Sequence, residues 1–167
     1  LDSALELIAK FPQVANVQDR FGATLLNAAA RAGSEEMFDS LVSLGAKVNV
    51  DSLHAYDVLQ YSASKGTPKM VEFALKSGLD PNHERQVFNA TRNEKGFSKE
   101  ILQLMLDNGL QINRVFAMFG DRNAAKTALD YVGEQSDIGL FLRTKGAKTA
   151  AEVLAENPNA EVLGADN

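Results

Sequence analysis

Leu44-Gly45-Ala46-Lys47-Val48-Asn49 returns as Ser77-Gly78-Leu79-Asp80-Pro81-Asn82, then as Asn108-Gly109-Leu110-Gln111-Ile112-Asn113, and in part as Lys145-Gly146-Ala147-Lys148. Gly45 to Gly78 is 33 residues, Gly78 to Gly109 is 31, Gly109 to Gly146 is 37, and Asn16 stands 33 before Asn49. A recurring interval of this length marks stacked supersecondary units, each too small to bury its own apolar face. Ahead of each glycine runs an apolar cluster at helical spacing: Met37, Phe38, Leu41 and Val42; Met70, Val71, Ala74 and Leu75; Ile101, Leu102 and Met105; Ile138, Phe141 and Leu142. Such i, i+3, i+4 patterns describe a helix with one buried face. The glycine is its stop, because it accepts positive φ without a Cβ penalty. Upstream lies a shorter segment rich in small residues, as in Thr24-Leu25-Leu26-Asn27-Ala28-Ala29-Ala30 and Thr127-Ala128-Leu129-Asp130-Tyr131-Val132. Gly33 and Gly66, each 12 residues before the terminal glycine, mark the tight turn between paired helices. Each unit therefore reads helix, turn, helix, loop.

The best unit runs Asp19-Arg20-Phe21-Gly22-Ala23-Thr24-Leu25-Leu26-Asn27, passes Ala29-Ala30 and Gly33, and closes with Leu41-Val42-Ser43-Leu44-Gly45-Ala46-Lys47-Val48-Asn49. It resembles the ankyrin repeat family in its leading Asp and Gly, its Thr, its paired alanines and its closing Gly-Ala-x-Val-Asn. It departs from the family in having Leu25 and Asn27 where Pro and His usually follow the Thr. In the family, that His and Thr tie neighbouring repeats together by hydrogen bonds, so this repeat is expected to rely more on apolar packing. The second unit, from Asp51, has Asp57 in the Thr place but keeps Gly66, Gly78 and Asn82. Thr127-Ala128-Leu129-Asp130-Tyr131 is similar to the closing repeats of many bacterial members. The resemblance spans residues 1–150. It implies an all-α, right-handed ankyrin-type solenoid of stacked helix-turn-helix repeats with β-hairpin finger loops, about four repeats plus a partial N-terminal unit. The boundaries are 1–16 for the partial unit, then 17–49, 50–82, 83–113 and 114–148. Residues 149–167 are expected to supply a capping helix and a loose acidic tail, in which Val162 and Leu163 could fold across a neighbour.

What the resemblance implies for function is a non-catalytic protein–protein interaction module that binds a partner through finger loops and the concave face. Inhibitor or immunity-type protein and scaffold are both open roles, with a fragment of a secreted bacterial effector aimed at a host protein as the alternative. Departures from the period point to specific places, since insertions in a solenoid map to loops on one face. Asn16 to Thr24 is 8 residues, whereas Asn113 to Thr127 is 14. The longer finger carries Phe116, Met118 and Phe119, which either stand out as anchors for a partner or fold down onto the preceding repeat. The third unit has a shortened finger and an enlarged turn at Glu94-Lys95-Gly96-Phe97-Ser98-Lys99. The outward positions of the first helices include Ala28, Arg31 and Ala32, then Tyr61, Ser64 and Lys65, then Asn89, Arg92 and Asn93, and Tyr131. Aromatic and arginine side chains dominate interface energetics. The partner-binding candidates are accordingly Arg20, Phe21, Tyr56, Tyr61, Arg92, Phe116, Met118, Phe119 and Arg122.

Composition narrows the field further. Seventeen basic and 22 acidic side chains give a formal charge of −5, which argues against a nucleic-acid partner, whose phosphates demand a basic surface. There is no cysteine, so disulfides, thiol nucleophiles and cysteine-ligated metals are excluded. No run approaches the roughly 18 apolar residues of a membrane span. The expectation is a soluble chain, the cytoplasm favoured; the opening at Leu1 leaves a leader, and with it a periplasmic or secreted location, open. His54 and His83 lie 29 residues apart in successive linkers and would need Asp57 or Glu84 as a further ligand to hold a metal; they read as exposed loop residues instead. Asp19, Asp51 and Asp130 suit turns and helix starts, where carboxylates accept backbone hydrogen bonds. With no phosphate loop or nucleophile elbow, no catalytic residue, metal or cofactor is expected.

Overall fold

The computed structural model describes residues 2–49, 54–83, 86–118 and 120–164. The chain forms two compact units, Leu1–Asn108 and Gly109–Asn167, divided inside the glycine phrase that closes the third sequence unit.

In the first unit, α1 (Asp2–Lys10) and a 3-10 turn at Pro12–Asn16 precede three helix pairs. These are α2 (Leu25–Ala32) with α3 (Glu35–Ser43), α4 (Ala55–Lys65) with α5 (Pro68–Lys76), and α6 (Gln86–Ala90) with α7 (Ser98–Asp107). First helices stack on first helices, α2 on α4 and α4 on α6, while α5 packs on α7. Phe38 of α3 meets Phe73 of α5 edge-on, with ring centroids 5.5 Å apart. Leu26, Leu41, Leu59, Met70, Ile101 and Leu102 are fully buried between the layers. The first helices approach closely because Ala29, Ala30 and Ala63 line their contact. Gly33, at φ +64°, closes α2, and a Cβ there would lie 2.5 Å from the Lys65 carbonyl oxygen. Both the left-handed conformation and the close approach require glycine.

The terminal glycines act as the period suggests. The Gly45 N–H donates to the Val42 carbonyl at 3.0 Å and the Ala46 N–H to that of Leu41 at 2.9 Å, which is the paired closure of a helix on a left-handed residue. Gly78 with Leu79, and Gly146 with Ala147, close their helices in the same way.

In the second unit, β1 (Val115–Met118) and β2 (Asp121–Lys126) form an antiparallel hairpin. A helix pair, α8 (Ala128–Val132) and α9 (Asp137–Thr144), is followed by α10 (Ala150–Glu156). The strand β3 (Val162–Leu163) then returns to lie parallel to β1, giving the order β2-β1-β3. Val115, Ala117, Ala150 and Val162 make a buried cluster against which Val153 and Leu154 pack. Thr149 caps α10, its hydroxyl accepting the Glu152 N–H while the Glu152 carboxylate accepts the Thr149 N–H at 2.7 Å.

Of the two readings of the tail, a loose end and a fold through Val162 and Leu163 across a neighbour, the structure has Val162 buried and paired with Val115 and Leu163 paired with Phe116. Of the expected finger hairpins, among the described residues only the fourth finger, β1 with β2, has hairpin pairing, and residues 50–53 and 84–85 of the second and third fingers lie outside those residues. Loop 17–23 turns instead on Asp19, whose carboxylate accepts the N–H groups of Phe21 at 2.8 Å and Ala23 at 3.0 Å. Those two donors hold its pKa below the usual carboxylate range.

Candidate partner-binding face

The Asn27 side chain fixes the start of α2 and reaches the next repeat at once. Its Oδ1 accepts the Thr24 N–H at 2.9 Å, the Thr24 hydroxyl accepts the Asn27 N–H, and the Asn27 Nδ2 donates to the His54 carbonyl at 2.7 Å. Asn27 thus supplies an inter-repeat hydrogen bond in place of the absent His, so this repeat is not left to apolar packing alone. Thr127 and Asp130 do the same in the second unit. The Asp130 carboxylate accepts the N–H groups of Thr127 at 2.9 Å and Ala150 at 2.7 Å, and the Thr127 hydroxyl donates to the Lys148 carbonyl at 2.7 Å.

On the exposed side of these first helices lies a cluster of charged and aromatic groups. The Arg31 guanidinium sits 5.1 Å above the Tyr61 ring centroid and 4.0 Å from Asp57, its side chain 61% exposed. Asp57 also meets His54, Nδ1 to Oδ2 at 2.7 Å. Tyr56 and His83 are stacked, with centroids 3.4 Å apart and rings 12° from parallel. Both histidines are half-buried in these contacts, a correction to their reading as exposed loop residues. Among the described residues no group of three histidine or carboxylate side chains is placed to hold a metal, and Glu84 and Asp51 lie outside those residues. At the finger end, Arg20 lies 4.5 Å over the ring of Phe21, which is 62% exposed. Beside them Val17, Leu25 and Ala28 line an open groove of about 680 Å³ between the 3-10 turn and α2.

The enlarged turn of the third unit is a clamp. Asn93, buried, donates from Nδ2 to the carbonyls of Ala63 at 2.9 Å and Gly66 at 3.1 Å, while its Oδ1 accepts the N–H groups of Lys95 and Phe97 at 3.0 Å each. Lys95 reaches back 62 residues, its Nζ donating to the Gly33 carbonyl at 2.6 Å. The ends of all three first helices are therefore joined, and exposed Arg92 is carried on that rigid turn, its Nε donating to the Phe88 carbonyl.

Of the nine candidates, Arg20, Phe21, Tyr56, Tyr61 and Arg92 fall in the first unit, where Arg31 bridges Tyr61 and the His54–Asp57 pair. Phe116, Met118 and Arg122 belong to the hairpin of the second unit. Phe116 is only 3% exposed, which corrects its reading as a projecting anchor: β1 is the middle strand, paired with Lys126 on one side and Leu163 on the other. Met118 and Arg122 lie in β1 and β2 with side chains outside the described residues, as is all of Phe119. Asn93, expected at an outward binding position, is buried instead and supports the face from beneath, as Lys95 does, which the residue register alone did not reveal; the available signal was an Asn placed shortly before Gly96 in a unit whose first helix is short.

The family model for ankyrin repeats, three copies, matches residues 1–85. The chain belongs to the ankyrin repeat family. No curated protein matches it. Ankyrin repeats are generally protein–protein interaction modules and generally non-catalytic. This ankyrin repeat chain has, among its described residues, no helix long and apolar enough to cross a membrane.

Proposed function

We propose that the chain is a non-catalytic protein-binding module whose partner docks on the first-helix and finger side of Leu1–Asn108, centred on Arg31 and Tyr61 with Arg20, Phe21, Tyr56 and Arg92 around them. The observation that carries this reading is the exposed Arg31 guanidinium set over half-buried Tyr61, Asp57 and His54, on helices that Asn93 and Lys95 lock together. Arg and Tyr combine contact area with directed polar groups, and a preorganised frame lowers the ordering entropy that docking must overcome. Inhibition, scaffolding and effector action differ in what happens to the partner once it is bound, and all three need this face. Hydrogen exchange tests the reading: a partner purified on the tagged chain from its native cells is titrated back. Slowed exchange in residues 19–32 and 54–66 supports the assignment. Protection confined to α3, α5 and α7 overturns it.

A further inference from the structure

The chain is acidic overall, at −5, yet its charges are segregated within the first unit. The outer helices α3, α5 and α7 carry six carboxylates against three lysines. The first helices and the 91–97 turn carry Arg31, Lys65, Arg92 and Lys95 against Asp57 and Glu94, and the 17–23 finger carries Arg20 against Asp19. All three of those carboxylates are engaged, Asp57 by His54 and Arg31, Glu94 by Lys65 at 3.8 Å, and Asp19 by the N–H groups of Phe21 and Ala23. The bases are contiguous: the Lys95 Nζ lies on the α2 terminus two residues from Arg31, and the Glu94 N–H bonds the carbonyl of Ser64, next to Lys65.

Resting on the binding-face reading above, we propose that the partner presents an acidic segment, a short run of Asp and Glu with an aromatic residue, to the strip running from Arg20 through Arg31 to Arg92. Guanidinium groups bind carboxylates bidentately, and the Phe21 and Tyr61 rings already faced by Arg20 and Arg31 give the segment an apolar floor. The strip is short and sits on a chain of net negative charge, which suits a few carboxylates and repels an extended polyphosphate backbone. Charge complementarity of this kind sets encounter rate and salt dependence.

Selection of a displayed random 12-residue peptide library on the intact, immobilised chain tests the proposal. Enrichment of Asp and Glu in the retained peptides by about twofold over the input is expected. A fluorescein-labelled peptide from that pool should bind about tenfold more weakly to an Arg20→Gln, Arg31→Gln variant with unchanged circular dichroism, and its binding to the parent should weaken as salt rises. Lys76→Gln on the outer face should leave binding unchanged. Retained peptides that are neutral or basic, salt-insensitive and yet lost with Tyr61→Ala overturn the acidic-segment proposal and keep the binding face. Acidic peptides indifferent to both the arginine and the Tyr61 changes overturn both. Tighter binding of a 20-nucleotide oligothymidine than of the peptide assigns the strip to nucleic acid and overturns the proposal.

Discussion

The side chain of Asn16 and the backbone of Gly45 are joined across 29 residues: Nδ2 donates to the Gly45 carbonyl at 2.9 Å, and Oδ1 accepts the Lys47 N–H at 2.9 Å. Asn113 repeats this on Gly146 at 3.1 Å and Lys148 at 2.7 Å. The asparagine that ends one glycine phrase therefore holds the next in register. Its groups are solvent-exposed, so Asn16→Ala should cost about 1 kcal/mol, within the range of an ordinary net hydrogen bond. Urea unfolding with an unchanged slope measures it.

Gly33 and Gly45 both have positive φ but differ in surroundings: a Cβ at Gly33 meets the Lys65 carbonyl, whereas one at Gly45 meets nothing within 4 Å. Gly45→Ala should cost about 1 kcal/mol from backbone strain alone, and Gly33→Ala clearly more, about 2–4 kcal/mol, as the first helices are forced apart. Comparing the two denaturation midpoints checks the order; equal losses would show that the close approach is not tight.

Thr24 and Asn27 form one capping unit that also holds His54. Thr24→Ala should cost about 1 kcal/mol and Asn27→Ala about 2 kcal/mol, since the latter also leaves the His54 carbonyl without this donor. The double variant should lose less than the sum, a coupling that a double-mutant cycle reads directly.

Glu152 is drawn down to about 2 from its ordinary 4.5, first by Arg143 and then by the Thr149 N–H. Arg143 is raised in turn, with Glu152 and Glu134 both on its guanidinium. A depressed carboxylate stabilises the fold in its ionised form, so its contribution is complete above about pH 4.5 and fades as pH falls toward 2. Glu152→Gln should lower the melting temperature at pH 7, and the gap from the parent should close between pH 4.5 and 2. A gap that is constant with pH would assign the loss to packing.

The helix pairs and their glycine closures were legible because periodicity and positive-φ sites are local properties of a chain. Asn16 and Asn113 were visible as repeating letters, but their partners stand a full period away, beyond any local pattern. Asn27 was read as the loss of a family hydrogen bond; an amide and an imidazole can both donate, and only the position of the His54 carbonyl shows that the bond survives. Phe116 misled for a related reason. A long apolar finger reads equally as exposed or folded down until its central strand gains a second neighbour, and β3 is Val162 and Leu163, two residues whose neighbour the sequence left unnamed. On the proposed binding face, the outward placement of Tyr61 and Arg92 follows from register, whereas the stacking of Tyr56 on His83 depends on two linkers meeting in space.

The central claim is that partners dock on the Arg31–Tyr61 face, and the most direct measurement is the Kd of the co-purified partner for the parent and for an Arg31→Ala, Tyr61→Ala double variant of unchanged melting temperature. Loss of at least about tenfold in affinity is predicted, as expected for Arg and Tyr at the centre of an interface. An unchanged Kd would contradict the account.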